Sequence, residues 1–226
     1  MIIAIDGTSS SGKSTIARTL GKRLNISVIG TGSIYRALAL KMLNFGIDAD
    51  DDSRINSMLD STIINIGFSA GKISIIVDGI LQQPNDLNSP NVSVFTPKMA
   101  CKEFVREFVR KIQKQEALNH KDIIIEGRDI GSVVFPNAEV KIFVDADLTT
   151  RAKRRLADYT AQGKQKTLED VIKELELRDN EDRNRELSPL IMTSDSIIID
   201  TTSYSITESV DKIVKVIEEK TKNKRN

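Results

Sequence analysis

Residues 7–14 read Gly7-Thr8-Ser9-Ser10-Ser11-Gly12-Lys13-Ser14 and satisfy G-x-x-x-x-G-K-[ST] at every fixed position. The apolar run Ile2-Ile3-Ala4-Ile5 precedes them, and Ile16, Ala17, Leu20 and Leu24 follow at helical spacing. Strand, glycine-rich loop and helix in that order are the context in which the pattern has a physical meaning. Consecutive backbone N–H groups turn inward around phosphate oxygens, glycines permit the backbone angles, and the helix N-terminus adds its positive end. On this reading Gly7, Thr8, Ser9, Ser10, Ser11, Gly12, Lys13, Ser14 and Thr15 hold a nucleoside triphosphate. Lys13 acts as a point charge on the β and γ phosphates, and the Ser14 hydroxyl is a hard oxygen ligand for Mg²⁺.

The remainder of the chain repeats a short apolar run, a turn and a periodic helix. Ser27 to Ile29 leads into Ser33 to Leu43, Ile123 to Ile125 into Gly127 to Gly131, and Val140 to Val144 into Leu148 to Ala161. A last run, Ile197 to Ile199, precedes Ser205-Ile206-Thr207-Glu208, a capping-box spacing, and an apolar stripe of Val210, Ile213, Val214 and Ile217. Such alternation predicts an α/β fold with a parallel sheet covered by helices. Two segments depart from it. Ile64 to Phe68 and Lys72 to Val77, separated by Ser69-Ala70-Gly71, read as a β-hairpin within an antiparallel insertion spanning 61–91. Residues 151–185 carry six of the fourteen arginines among Asp and Glu residues, the pattern of a solvated helix pair around Gly163. The closing segment from Lys220 to Asn226 reads as a frayed tail. The expected organisation is one domain over 1–226, with its core in 1–60, 92–150 and 190–226 and a helical lid at 151–185.

Composition narrows the chemistry. A net charge of +1 leaves no global basic excess, and ten basic against eight acidic residues within 151–185, with few aromatics for stacking, make nucleic acid an unexpected partner. No stretch approaches the ~18 apolar residues of a membrane helix, so no membrane partner is expected. Cys101 has no second cysteine to pair with, and Met1 to Ile5 lacks a basic start before Asp6, so a reducing cytoplasm is the expected setting. With His120 the only histidine, a zinc site or a His-centred triad is disfavoured, and the chemistry falls to Lys, Arg, carboxylates and hydroxyls.

Three constellations bear on the acceptor. Thr31-Gly32-Ser33-Ile34-Tyr35-Arg36 follows the second predicted strand, where hydroxyls, a helix N-terminus and Arg36 suit an anion, although a plain N-cap accounts for Ser33. Glu126-Gly127-Arg128-Asp129-Ile130-Gly131 follows the third, at the carboxyl end where open parallel sheets bind ligands, although a structural ion pair of Arg128 with Asp129 has the same spacing. Arg178, Asp182 and Arg185 stand at i, i+4 and i+7, one stripe of a helix that continues that far.

Together these elements resemble the bacterial cytidylate kinases of the nucleoside monophosphate kinase group. The resemblance rests on the phosphate loop, T-G-S-I-Y-R at 31–36, V-R-E at 105–107, E-G-R-D-I-G-S-V-V-F-P at 126–136, V-K-I-F-V-D-A at 140–146 and R-D-N-E-D-R-N-R at 178–185. It implies an adenylate-kinase-like P-loop fold with a five-stranded parallel sheet, an antiparallel insertion and a mobile lid. It also implies transfer of the γ-phosphate of ATP to CMP or dCMP with Mg²⁺, by a monomer with small-molecule partners only. Lys13, Arg128, Asp129 and Arg185 are then the catalytic set. Asp129 and Arg106 take the cytosine, and Arg178 and Asp182 the sugar. Arg36, Arg128 and Arg185 take phosphate charge, with Thr31 beside them, while Arg151 and Arg155 reach the triphosphate. The chain departs from the family pattern at Gly30, where an acidic residue is usual, and at Pro97, where a serine is usual, which leaves Thr96 as the nearest base-pocket hydroxyl. A kinase for UMP, AMP or shikimate would keep Lys13 and the lid arginines without the combination of Arg106, Asp129 and Asp182. A guanine-dependent switch would need N-K-x-D, which Asn119-His120-Lys121-Asp122 does not supply.

Overall fold

The computed structural model describes residues 1–69 and 72–223. Short β-branched runs become strands wherever both faces are covered. Ile3, Ala4 and Ile5 of β1 (Ile2–Gly7) and Ile123, Ile124 and Ile125 of β6 (Ile123–Glu126) are wholly buried. With β2 (Ser27–Gly30), β7 (Val140–Asp145) and β8 (Ile197–Asp200) they form a five-stranded parallel sheet in the order β2-β6-β1-β7-β8. In β1 and β7 Asp6 pairs with Phe143 and Gly7 with Val144, and in β7 and β8 Asp145 pairs with Asp200, so these strands end at a common edge.

Two compact units make up the chain, Met1–Ile26 with Ile124–Asn226, and Ser27–Ile123. In the first, α1 (Lys13–Leu24) buries Ile16, Ala17 and Leu20, and α9 (Ile206–Asn223) buries Val210, Ile213 and Ile217. The capping box expected at Ser205 is present: its Oγ accepts from Glu208 N at 3.2 Å while Ser205 N donates to Glu208 Oε2 at 2.8 Å. The helix runs to Asn223, so Lys220 belongs to it rather than to a frayed tail, and residues 224–226 of that expected tail lie outside the described residues.

The charged segment 151–185 forms α7 (Leu148–Ala161) and α8 (Leu168–Asn184), and it is more than a solvated pair. Ala152, Tyr159, Val171 and Leu175 make a small core flanked by Leu148, Leu156, Leu168 and Ile172. Thr167 and Asp170 cap α8 reciprocally. That helix ends at Asn184, and Arg185 follows in extended conformation, φ −62° and ψ 140°. The Arg185 N–H nevertheless donates to the Glu181 carbonyl at 3.0 Å as the helix cap, so Arg178, Asp182 and Arg185 share the expected stripe, with Arg185 at its very end.

The second unit contains α2 (Thr31–Asn44), α3 (Asp52–Asp60), α4 (Pro84–Leu87), α5 (Pro90–Ala100) and α6 (Glu103–Asn119). Its antiparallel sheet joins β3 (Ile64–Ser69) to β4 (Lys72–Val77), as the alternation predicts, and the turn at Ala70 and Gly71 lies outside the described residues. A third strand, β5 (Ile80–Leu81), pairs with β4 through the turn Asp78-Gly79, whose φ values are 50° and 82°. Asp-Gly is a strong short hairpin signal because both residues tolerate that region. Among the described residues, no helix is long and apolar enough to cross a membrane.

Candidate active site

In the first unit the phosphate loop leaves β1 at Gly7. A Cβ there would stand 2.0 Å from the Val144 carbonyl oxygen of the neighbouring strand, so only glycine lets the chain leave at this point. The loop is braced residue by residue. Thr8 Oγ1 donates to Asp145 Oδ1 at 2.6 Å, Ser11 Oγ donates to the Thr8 carbonyl at 2.9 Å, and Thr201 Oγ1 donates to the Ser11 carbonyl at 2.8 Å. The Ser9 peptide is held from both sides, its N–H by Asp179 Oδ1 at 3.2 Å and its carbonyl by Arg151 Nη1 at 3.1 Å. Arg151 also donates to Asp179 and, through Nε, to the Ala146 carbonyl at 2.9 Å. Arg151 thus lies behind the loop, buried with Asp179, while Arg155 stacks over the Tyr159 ring at 4.5 Å. Removing one member of a buried ion pair leaves the other unpaired, so Asp179→Ala should lower the unfolding free energy by about 3 kcal/mol in urea titrations.

The loop delivers the chain into α1 without a capping side chain at Gly12 and without an acidic residue in the first turn. A helix N-terminus built this way suits an external anion. Lys13 is buried and donates to the Thr8 carbonyl at 3.0 Å. Burial, then the positive field of Arg128 and Arg178, pulls its ammonium down to about 7, against the opposing pull of Glu126 and Asp182.

Ser14 Oγ donates to Glu126 Oε1 at 3.0 Å. Its proton is thereby committed, and its lone pairs remain for a hard cation beside a carboxylate. Glu126 was not among the sequence-derived metal residues, although a carboxylate closing a buried strand beside a phosphate loop is the available signal.

Beyond Glu126 the chain enters Arg128 and Asp129, then a π-helical turn over Ile130–Val134 that periodicity does not foreshadow. Arg128 does not serve mainly as an ion pair to its neighbour. Its Nε donates to Asp182 Oδ2 at 2.7 Å, with Arg185 Nη1 3.6 Å from the other oxygen. Burial opposes the Asp182 charge, but Arg128, Arg178 and Arg185 together hold its carboxyl below the ordinary value. Arg185 is further tied to the Ser188 carbonyl at 2.6 Å. Asp129 is buried in this same unit. Asp6, the penultimate residue of β1, accepts from Ile130 N at 2.9 Å and Gly131 N at 2.7 Å, a link that no sequence motif marks.

The second unit holds Thr31, Arg36, Thr96 and Arg106. α2 begins at Thr31, so Ser33 lies inside its first turn instead of capping it. Thr31 Oγ1 accepts from Gln113 Nε2 at 2.9 Å, and Arg36 donates to Asn88 Oδ1. Arg106 is buried, donates to the Ala100 carbonyl at 3.0 Å and lies 5.9 Å from the Tyr35 ring centre. Thr96 spends its hydroxyl proton on the Val92 carbonyl at 2.6 Å inside α5, next to Pro97, leaving it acceptor character only.

This geometry is accompanied by close sequence relatives. A protein of Pediococcus pentosaceus described as cytidylate kinase is 40% identical over 222 residues, covering 98% of this chain and 97% of its own. One of Thermotoga maritima with the same description is 38% identical, covering 96% and 97%. The solved structure of TT1252 from Thermus thermophilus, 17% identical, aligns over 97% of this chain and 96% of that one with a TM-score of 0.51, a likeness of fold. The sequence profile described as Cytidylate kinase matches residues 3–219, and with it the phosphate loop, Arg128-Asp129 and the Arg178-to-Arg185 segment: the chain belongs to the cytidylate kinase family.

Proposed function

We propose that the protein transfers the γ-phosphate of ATP to CMP or dCMP, giving ADP and CDP or dCDP, as a cytoplasmic monomer. The observation that carries this reading is the grouping within one unit of a braced phosphate loop, a buried Lys13, the Ser14–Glu126 pair and Arg128 held on Asp182. The acceptor is already an ionised phosphate, so no general base is required and catalysis comes from alignment and charge neutralisation. Lys13 draws charge from the β and γ phosphates. Ser14, with Glu126 reaching it through the hydroxyl, would hold Mg²⁺, which would supply positive charge against the phosphates. Arg128 and Arg185 address the acceptor phosphate from Asp182, which with Arg178 also addresses the sugar. Arg151 adds positive charge behind Ser9, and Arg155 completes the lid side of the triphosphate site.

Base choice rests on Asp129. Its carboxylate accepts from the cytosine N4 amino group, whereas uracil presents O4 there, leaving two acceptors face to face. The resemblance assigns Arg106 to the other acceptors of the base and Arg36 to phosphate, with Thr31 among the CMP-binding residues and Thr96 the nearest hydroxyl to the serine position that Pro97 occupies. Coupled ADP-release assays with Mg²⁺-ATP and CMP, dCMP, UMP, AMP, shikimate or no acceptor test the reading. Turnover with CMP and dCMP well above every other acceptor is expected, and ADP release that no acceptor stimulates would overturn it.

The Lys13 environment yields a second expectation. A triphosphate reverses the field that lowers its proton affinity, so the amine that has lost its proton at pH 8 regains it on binding. Calorimetry of ATP binding at pH 8 in buffers of different ionisation enthalpy should show uptake approaching one proton, absent in Lys13→Met.

A further inference from the structure

Asp6 is the penultimate residue of β1, immediately before Gly7, and is 5% exposed. Its two carboxylate oxygens accept separately from consecutive peptide N–H groups, Ile130 at 2.9 Å and Gly131 at 2.7 Å. Those peptides follow directly on Arg128 and Asp129. A Cβ at residue 131 would stand in van der Waals contact with Asp6 Oδ2 at 3.4 Å and 3.2 Å from Lys141 Cδ, which must give by a few tenths of an ångström. From the far side the Asp129 carbonyl accepts from Val133 N at 2.9 Å and Val134 N at 3.1 Å, so the peptide carrying Asp129 is held at both ends.

We propose that Asp6 is a positioning residue for base selection: its carboxylate sets the Arg128-Asp129 pair in register with the phosphate loop, so discrimination between cytosine and uracil depends on a residue that touches neither substrate. The inference rests on the reading of Asp129 as the cytosine acceptor. Its chemical basis is that an ionised carboxylate satisfies both N–H groups, whereas an amide or a protonated carboxyl offers one acceptor and sets a donor against the other N–H. Burial first, and the charge of Asp129 after it, raise Asp6 to about 6, against the two N–H groups and Lys13, which favour the ionised form; Lys141 passes beside Gly131 on the same side.

The test compares kcat/KM for CMP and UMP, at saturating Mg²⁺-ATP, from pH 5.5 to 8 in the wild type, Asp6→Asn and Gly131→Ala. The CMP-to-UMP ratio cancels titration of the substrate phosphates and of the ATP site. Asp6→Asn should lower that ratio on the order of tenfold, the cost of one unsatisfied buried group, with KM for ATP within about twofold. The wild-type ratio should fall below pH 6 toward that of the variant, whose own ratio stays flat. Gly131→Ala, which crowds Lys141 beside the same contact without altering β1, should lower it more weakly, and the wild-type pH profile decides the matter where Asp6→Asn does not fold. An unchanged ratio in the variants of a CMP-selective enzyme, or equal losses for ATP and CMP, overturns the role of Asp6 alone. A wild type that does not prefer CMP overturns the base reading itself.

Discussion

Lys13→Ala should lower kcat on the order of 10³-fold in the ADP-release assay while the protein stays folded. The magnitude is that of removing one preorganised charge from a water-poor transition-state site. The fold tolerates the change because Lys13 is a cost to it. Buried, and in the positive field of Arg128 and Arg178, the ammonium is harder to keep charged than in the unfolded chain. A lysine whose folded value lies near 7, against an unfolded 10.5, loses stability as pH falls from 10.5 toward 7, since the unfolded chain then binds the extra proton for the lower free energy. At pH 7 the alanine variant should therefore melt no lower than the wild type. Near-wild-type turnover in a variant of unchanged melting temperature would remove Lys13 from the chemistry.

The second large effect is on selectivity. Asp129→Ala should reduce the preference for CMP over UMP by about 10²-fold or more, because a site built to accept from a substrate amino group rejects the analogue that lacks it far more strongly than an apolar pocket does. Steady-state comparison of the two acceptors reads this directly. Binding of ATP, followed by equilibrium titration, should remain close to wild type. A variant that keeps its preference would move base recognition away from residue 129.

The sheet and the phosphate loop were legible in the sequence because their signals are local. A buried β-branched run, the glycines at 7 and 12 and the stripe from Ile16 to Leu20 each report on neighbours within a few residues. The Asp78-Gly79 turn was equally local, and its meaning for β5 was overlooked. The acids that brace the site were not legible in that way. Asp6, Asp145 and Asp179 reach Ile130 and Gly131, Thr8, and Ser9 across 124 to 170 residues of chain, and only the strand order brings them there. Arg151 illustrates the same limit. Its place in the lid segment was apparent from its neighbours, but the Asp179 carboxylate that turns it behind Ser9 comes from the next helix.

That grip on Ser9 also determines which amides open together. The root of α7 and the middle of α8 are fastened to the phosphate loop through one buried ion pair, whereas the turn around Gly163, with φ 70°, is exposed. Hydrogen exchange should therefore show the Ser9 amide and the first turns of α7 opening as one cooperative unit, with the far turn exchanging orders of magnitude sooner. Fastened in this way, the root of the helix pair and the phosphate loop share one stability, and the exchange profile reads it.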